Sequence, residues 1–125
     1  MLNRIFKGAS LSASEAMLLY AADRQKVIAA NIANVDTAGY KTRDLSEADF
    51  KRQLDNLFSS KGKPVVIRSE PAADAGPLKP NGNNVDLEIE MAKMVRNNAL
   101  HNTAASLLAH QYSLLREAIS GHVIS

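Results

Sequence analysis

The apolar positions fall into two long helical patterns separated by a polar, proline-bearing middle. The first helix opens at Ser12-x-x-Glu15, a capping-box pattern, and continues through Met17, Leu18, Ala21, Ala22, Gln25, Ile28, Ala29 and Ile32. It is expected to end near Asn34 or Val35, where Asp36-Thr37-Ala38-Gly39 supplies turn chemistry. Leu11, Leu18, Gln25 and Ile32 recur at sevens, with Ala21 and Ile28 offset by three, giving a narrow, seam-like stripe.

The second pattern starts after Asn81-Gly82-Asn83-Asn84 and runs without a breaker to about Ser120. Asp86, Glu88 and Glu90 place negative charge in its first turns, where the helix dipole favours it. At 1.5 Å per residue such a helix is roughly 50 Å long. Leu87, Met91, Met94, Asn98, His101, Ala105, Leu108, Tyr112, Leu115 and Ile119 alternate in steps of four and three, a heptad seam. Leu100, Leu107 and Leu114 form a second apolar row off that seam. This is more apolar surface than one partner helix covers, and it predicts self-assembly.

All four prolines (64, 71, 77 and 80) lie in the middle. They leave room for a polar amphipathic piece around Leu45 to Phe58 and for a short strand at Val65-Val66-Ile67, with loops elsewhere. The tract from Pro71 to Asn84 is expected to be mobile. The predicted fold is mainly α. Long N- and C-terminal helices pack as a coiled-coil-like antiparallel pair, with an irregular Pro/Gly-containing middle and at most a short strand. The divisions are 1–44, 45–84 and 85–125, within one structural domain.

Composition agrees. The 125 residues are 46% hydrophobic and 22% charged, which suits one small domain, and aromatics are only 5%, so closely approaching helices must supply the core. The net charge of +2 is spread without a Lys/Arg cluster, which argues against nucleic acid as a partner. With no cysteine there are no disulfides, thiolate metal sites or cysteine nucleophiles. Asn97 to Leu115 contains no charged side chain, but its three Asn, two His, Gln, Thr and two Ser argue against a membrane span. The uncharged stretch reads instead as a helix buried on all sides in an assembly. The N-terminus lacks a secretory apolar stretch and cleavage site, so export is expected to use another route.

Catalytic and metal chemistry find no support. His101 and His110 are nine apart, on opposite helix faces, and neither they nor His122 has an acidic ligand at useful spacing. Glu88 and Glu90 diverge and read as dipole partners rather than an acid/base pair. No phosphate loop, nucleophile elbow or zinc-helix motif occurs. No catalytic residue, metal or cofactor is assigned. Lys61, Lys63, Arg68 and Lys79 read as solvated middle-loop charges.

The most specific stretch is Ala30-Asn31-Ile32-Ala33-Asn34-Val35-Asp36-Thr37-Ala38-Gly39-Tyr40-Lys41. Asn31 and Asn34 share a helix face, and such amides can fix register across an interface. Asp36 and Thr37 can bond turn backbone, Gly39 permits a positive φ, and Tyr40 can pack back as an anchor. This stretch resembles the signature of the flagellar basal-body rod, hook and hook-associated axial proteins. Chain length, with Asn84-Val85-Asp86-Leu87-Glu88 and Asn97-Asn98-Ala99-Leu100, resembles the short proximal rod type FlgB more than the FlgC type. The resemblance covers about residues 10–48 and 82–120.

The resemblance implies a structural rod subunit needed for motility, exported without a cleaved signal by the flagellar type III apparatus. The implied partners are further copies, other rod proteins, a FliE-type adaptor and the export gate, with the terminal helices forming an inner layer of a periplasmic rod. Expected assembly residues are Leu18, Ile28, Asn31, Ile32, Asn34, Asp36, Thr37, Gly39, Tyr40, Met94, Leu100, Leu107, Leu108 and Leu115. A helical adaptor or chaperone of the export system is the alternative.

Overall fold

The computed structural model describes residues 2–59 and 65–124, with side chains at 12–59 and 65–121. The side chains of Leu11 and His122 and the segment 60–64, with Lys61, Lys63 and Pro64, lie outside the described residues. Helix α1 (Leu2–Ala33) is followed by strand β1 (Arg43–Leu45), helix α2 (Glu47–Phe58), strand β2 (Ser69–Pro71) and helix α3 (Leu87–Ile124). Helices account for 66% of the chain, and the long terminal pair forms the expected hairpin.

Helix α1 begins ten residues before the predicted capping box, so Ser12 is not a cap. Between Leu2 and Leu11 there is no proline and one glycine, and nothing stops a helix from propagating. Its C-terminal end falls where the turn residues predict. Asn34 N–H donates to Ala30 O at 3.1 Å, and Gly39 adopts φ 75°. Gly82, at φ 81°, approaches so closely that a Cβ there would stand 3.4 Å from Gly39 Cα.

Helix α2 starts on Ser46, whose side chain accepts from Asp49 N–H, and its aromatic Phe50 stacks on Tyr20 of α1 at 4.1 Å between ring centres. Fully buried Asp49 accepts from Arg68 N–H at 3.1 Å and Arg68 Nε at 2.9 Å, with Arg52 also paired to it. Those bonds fix where the return strand begins. Strand β2 therefore forms at Ser69–Pro71, antiparallel to β1 with Asp44 opposite Glu70, and not at Val65–Ile67. Val65, Val66 and Ile67 instead line a shallow hollow of about 320 Å³ with Leu19, Tyr20 and Gln53.

The tract from Pro71 to Asn84, expected to be mobile, is tied back residue by residue. Ala72 N–H donates to Thr42 O, Gly76 N–H to Asn84 O and Lys79 N–H to Asn83 O. Asp86 then caps α3, its Oδ1 accepting from Glu88 and Ile89 N–H.

The α1–α3 seam differs from the predicted one. The buried line on α3 is Glu90, Lys93, Asn97 and Ala104, facing Ser14, Ala21, Ile28 and Asn31 of α1. Leu87, Met91, Asn98, Tyr112, Leu115 and Ile119, assigned to the seam by their apolar spacing, point outward. Hydrogen bonding selects the inner face. Asn97 Nδ2 donates to Ala21 O at 2.7 Å, and Asn31 Nδ2 donates to Glu90 Oε2 at 2.9 Å.

Candidate assembly site

Where α1 ends, its last turn, the following loop, β1 and the start of α3 converge on one amide. Asn31 is fully buried and uses its whole side chain. Its Nδ2 donates to Arg43 O at 2.7 Å and to Glu90 Oε2 at 2.9 Å, while its Oδ1 accepts from Tyr40 Oη at 2.8 Å and Arg43 N–H at 3.2 Å. By bonding both backbone groups of Arg43, the amide covers the outer edge of β1 much as a third strand would. Burial, with the charge of Glu90, pushes the Tyr40 phenol up and keeps it a donor.

Asn34 has a different task. Its Nδ2 donates to Ala30 O at 2.7 Å, its Oδ1 accepts from the Thr37 hydroxyl at 3.0 Å, and its carbonyl accepts from Asn83 Nδ2 at 2.8 Å. The same Asn83 amide reaches Thr37 O at 2.8 Å and accepts from Val85 N–H at 2.7 Å. Gly39 N–H donates to Asn81 O, so the Asn-rich turn before α3 is stitched to the turn after α1.

Beside Asn31 lies a charged cluster that the sequence did not announce. Lys93, with a side chain only 6% exposed, stands 2.6 Å from Asp74, 3.4 Å from Glu90 and 3.5 Å from Asp44. Arg24 makes a fork to Asp44 at 2.9 and 3.0 Å. Glu90, expected to serve the helix dipole, is a buried acceptor instead. Burial by itself lowers the Lys93 ammonium, but the hydrogen bond to Asp74 and the charges of Glu90 and Asp44 outweigh it and leave it raised. For Asp44 burial pushes up, and the bonds from Arg24 and Leu45 N–H win, leaving it lowered.

These shifts set a pH profile. A depressed Asp44 stabilises the fold above the unfolded value of 3.8 and loses that effect as pH falls through its lower folded value. A raised Lys93 stabilises below 10.5 and loses the effect as pH rises through its higher folded value. Urea midpoints are therefore expected to be flat from about pH 5 to 9 and to fall on both sides. A midpoint that changes steadily across neutral pH would contradict this assignment.

Of the residues expected at an interface, Asn31 and Ile28 are enclosed within the chain. Leu18, Ile32, Asn34, Tyr40, Met94, Leu100 and Leu108 are half-buried along the hairpin, while Asp36, Thr37 and Gly39 sit on the exposed turn. Leu107 and Leu115 are 43% and 40% exposed on the far half of α3. The structure thus joins Asn31, Tyr40, Asn34 and Thr37 around one corner and leaves Leu107 and Leu115 well away from it. Sequence reasoning missed Arg24, Asp44, Asn83, Lys93 and the buried role of Glu90. Their signal was polarity at core spacing, with Glu90, Asn97 and Ala104 seven apart.

Among the described residues no group of three or more His, Cys, Asp or Glu could hold a metal ion, and no helix is long and apolar enough to cross a membrane.

Residues 18–41, which span the second half of α1 and the turn, match the family described as Flagella basal body rod protein. The chain is similar to the flagellar basal body rod protein FlgB of Salmonella typhimurium, with 30% identity covering 97% of this chain and 99% of the relative. It is also similar to FlgB of Aeromonas hydrophila, at 30% over 78% of the chain and 83% of the relative. FlgB of Borrelia hermsii is 32% identical over 71% and 79%.

Proposed function

From the premise that this chain belongs to the family of flagellar basal body rod proteins of the FlgB type, we propose how it builds the rod. It is a structural subunit of the proximal rod, and its family is a structural component of the flagellar basal body. The observation that carries the mechanism is the outward face of α3. Leu87, Met91 and Val95 are 42%, 55% and 69% exposed, and Leu107, Leu114 and Ile119 continue the apolar surface at 43%, 51% and 68%. Leucine, methionine and valine side chains at i, i+4 and i+8 form one ridge on a helix. The row at 107 and 114 lies on another flank. A helix with two apolar flanks besides its own seam seats neighbours on both sides, and heterologous contacts of that kind repeat into an open tube.

In this reading the buried corner holds the hairpin rigid, and the exposed flanks of α3, with the half-buried Leu18, Ile32, Met94, Leu100 and Leu108 beside them, meet other subunits. The neighbours are further copies and other rod proteins. A FliE-type adaptor and the type III export gate lie at the base of the stack, and the subunit reaches the periplasm through that apparatus. The motif turn, with Asp36, Thr37 and Gly39 exposed, extends the contact surface at the closed end of the hairpin.

Leu107→Glu and Leu114→Glu test the mechanism, because both positions are exposed on the same outer flank and a charge there leaves the monomer's core intact. Each variant is expected to melt within a few degrees of the wild type and to abolish swarming when it replaces the chromosomal copy. Normal swarming by both variants, at normal protein level, would overturn the role given to α3.

A further inference from the structure

The turn that leads into α3 holds a reactive pair of residues. Asn81-Gly82 is the only Asn-Gly sequence in the chain. Glycine brings no Cβ to shield its own nitrogen, so that nitrogen can approach the side-chain amide of the asparagine before it. Attack of Gly82 N on Asn81 Cγ closes a five-membered imide. The side-chain nitrogen takes up the Gly82 N–H proton and departs as ammonia. Water, the sole co-reactant, then opens the imide at either carbonyl. The product is aspartate, or an isoaspartyl link in which the main chain runs through Cγ.

The fold exposes the asparagine and ties up the nucleophile. Asn81 lies on the surface, open to the water the reaction consumes. Gly82 N–H, by contrast, donates to Lys79 O at 2.8 Å. A hydrogen bond to the protonated form of a group disfavours loss of that proton, and Gly82 N must lose it to attack. Gly82 is also confined, at φ 81° and packed so near Gly39 that a Cβ would stand 3.4 Å from Gly39 Cα. Gly39 N–H holds Asn81 O at 2.9 Å, and Asn83 N–H donates to Asn81 Oδ1 at 3.1 Å. The bond to Oδ1 draws electron density from Cγ and makes it the better target. What restrains the reaction is therefore the hold on Gly82, not a shield around the amide. Asn83 Nδ2 keeps that hold in place by docking the turn on Asn34 O and Thr37 O, both at 2.8 Å.

We propose that Asn81 is a modification site latched by the fold, one that deamidates when the turn is open or not yet formed and is restrained while Lys79 O holds Gly82 N–H. The isoaspartyl product adds one carbon to the main chain inside the Lys79–Gly82 turn and converts the Asn81 carbonyl into a carboxylate. It cannot rebuild the turn as observed. Modification thus records the time a chain spends with its two Asn-rich turns unstitched. The inference rests on the turn itself and holds whatever the hairpin assembles into.

The test incubates the full chain at mildly alkaline pH, folded and in denaturing guanidinium chloride. Trypsin then releases Ser69 to Lys93 as one peptide, since Pro80 blocks cleavage after Lys79, and fragmentation in the mass spectrometer places any exchange of amide nitrogen for oxygen. Conversion at Asn81 is expected to be at least about tenfold faster in denaturant than in the folded chain. Asn83→Ala removes the two docking bonds and leaves Asn81 and Gly82 untouched. Shown to be folded by circular dichroism, it is expected to convert several-fold faster than the parent without denaturant. Equal rates for the parent in the two conditions would overturn the proposal, and this comparison decides it even where Asn83→Ala does not fold. A folded Asn83→Ala chain that converts no faster than the parent would overturn the latch as well.

Discussion

Replacing Asn31 by alanine is expected to lower the stability of the chain by about 4 kcal/mol, the sum of a buried carboxylate and a partly buried peptide left unmet. One is the Glu90 carboxylate, 1% exposed and accepting from Asn31 at 2.9 Å. The other is the Arg43 peptide, whose N–H and C=O both bond the same amide at 3.2 and 2.7 Å. Each stranded group costs on the order of 1–3 kcal/mol, more when it is charged. Against a total of about 5–15 kcal/mol for a domain of this size, that is a large fraction, and the melting temperature is expected to fall by roughly 15 °C.

The matched comparison is Asn34→Ala, three residues on. Its side chain bonds only within its own helix end and turn, to Ala30 O and the Thr37 hydroxyl, so the loss expected is under about 1 kcal/mol. Thermal melts of the two variants side by side decide the point. Equal losses would mean that the two asparagines of the motif do the same work, contrary to the geometry.

That contrast also marks how far the sequence could be read. The two terminal helices were legible because Ala, Leu, Ile and Met recur at helical spacing over long unbroken stretches, and the turn after Ala33 was legible in Asp36, Thr37 and Gly39. Tyr40 does pack back, onto Asn31. The inner face of α3 was not legible. Apolar spacing favours Leu87, Met91 and Tyr112, yet burial goes to Glu90, Lys93 and Asn97. Polar side chains win those positions because their partners, Asn31, Asp44, Asp74, Ala21 and Gln25, come from segments as far as 76 residues away in sequence, and nothing local announces them. The Val65–Ile67 strand failed for a related reason. β-branched residues favour a ladder, but the buried carboxylate of Asp49 captures Arg68 and starts the strand beyond it.

The misplacement of the seam is physically connected to function. Had α3 buried its Leu and Met residues against α1, the hairpin would be a closed unit with a polar exterior. By burying charge and amide instead, the chain keeps Met91, Val95, Leu107 and Leu114 exposed for contacts that a single copy cannot make. Polar burial supplies uniqueness of pairing, and the apolar side chains left outside supply the drive to assemble.

The second large effect belongs to Lys93. Removing its charge in Lys93→Met leaves Glu90 and Asp44 facing each other with Arg24 as the remaining cation, and Glu90 has no route to water. Breaking a buried ion pair from one side costs on the order of 3–5 kcal/mol, most of it the desolvation of the abandoned partner. Glu90→Gln should cost less, about 1 kcal/mol, because a glutamine oxygen still accepts from Asn31 and Lys93 retains Asp74 and Asp44. The double variant Glu90→Gln/Lys93→Met then removes both the stranded charge and its cause. Its loss is expected to fall short of the sum of the two single losses by at least about 1 kcal/mol. Urea unfolding of the four chains at neutral pH measures this coupling. Strict additivity would show that Lys93 acts through Asp74 and Asp44, and that Glu90 is held at the buried corner by Asn31 without help from the ammonium group.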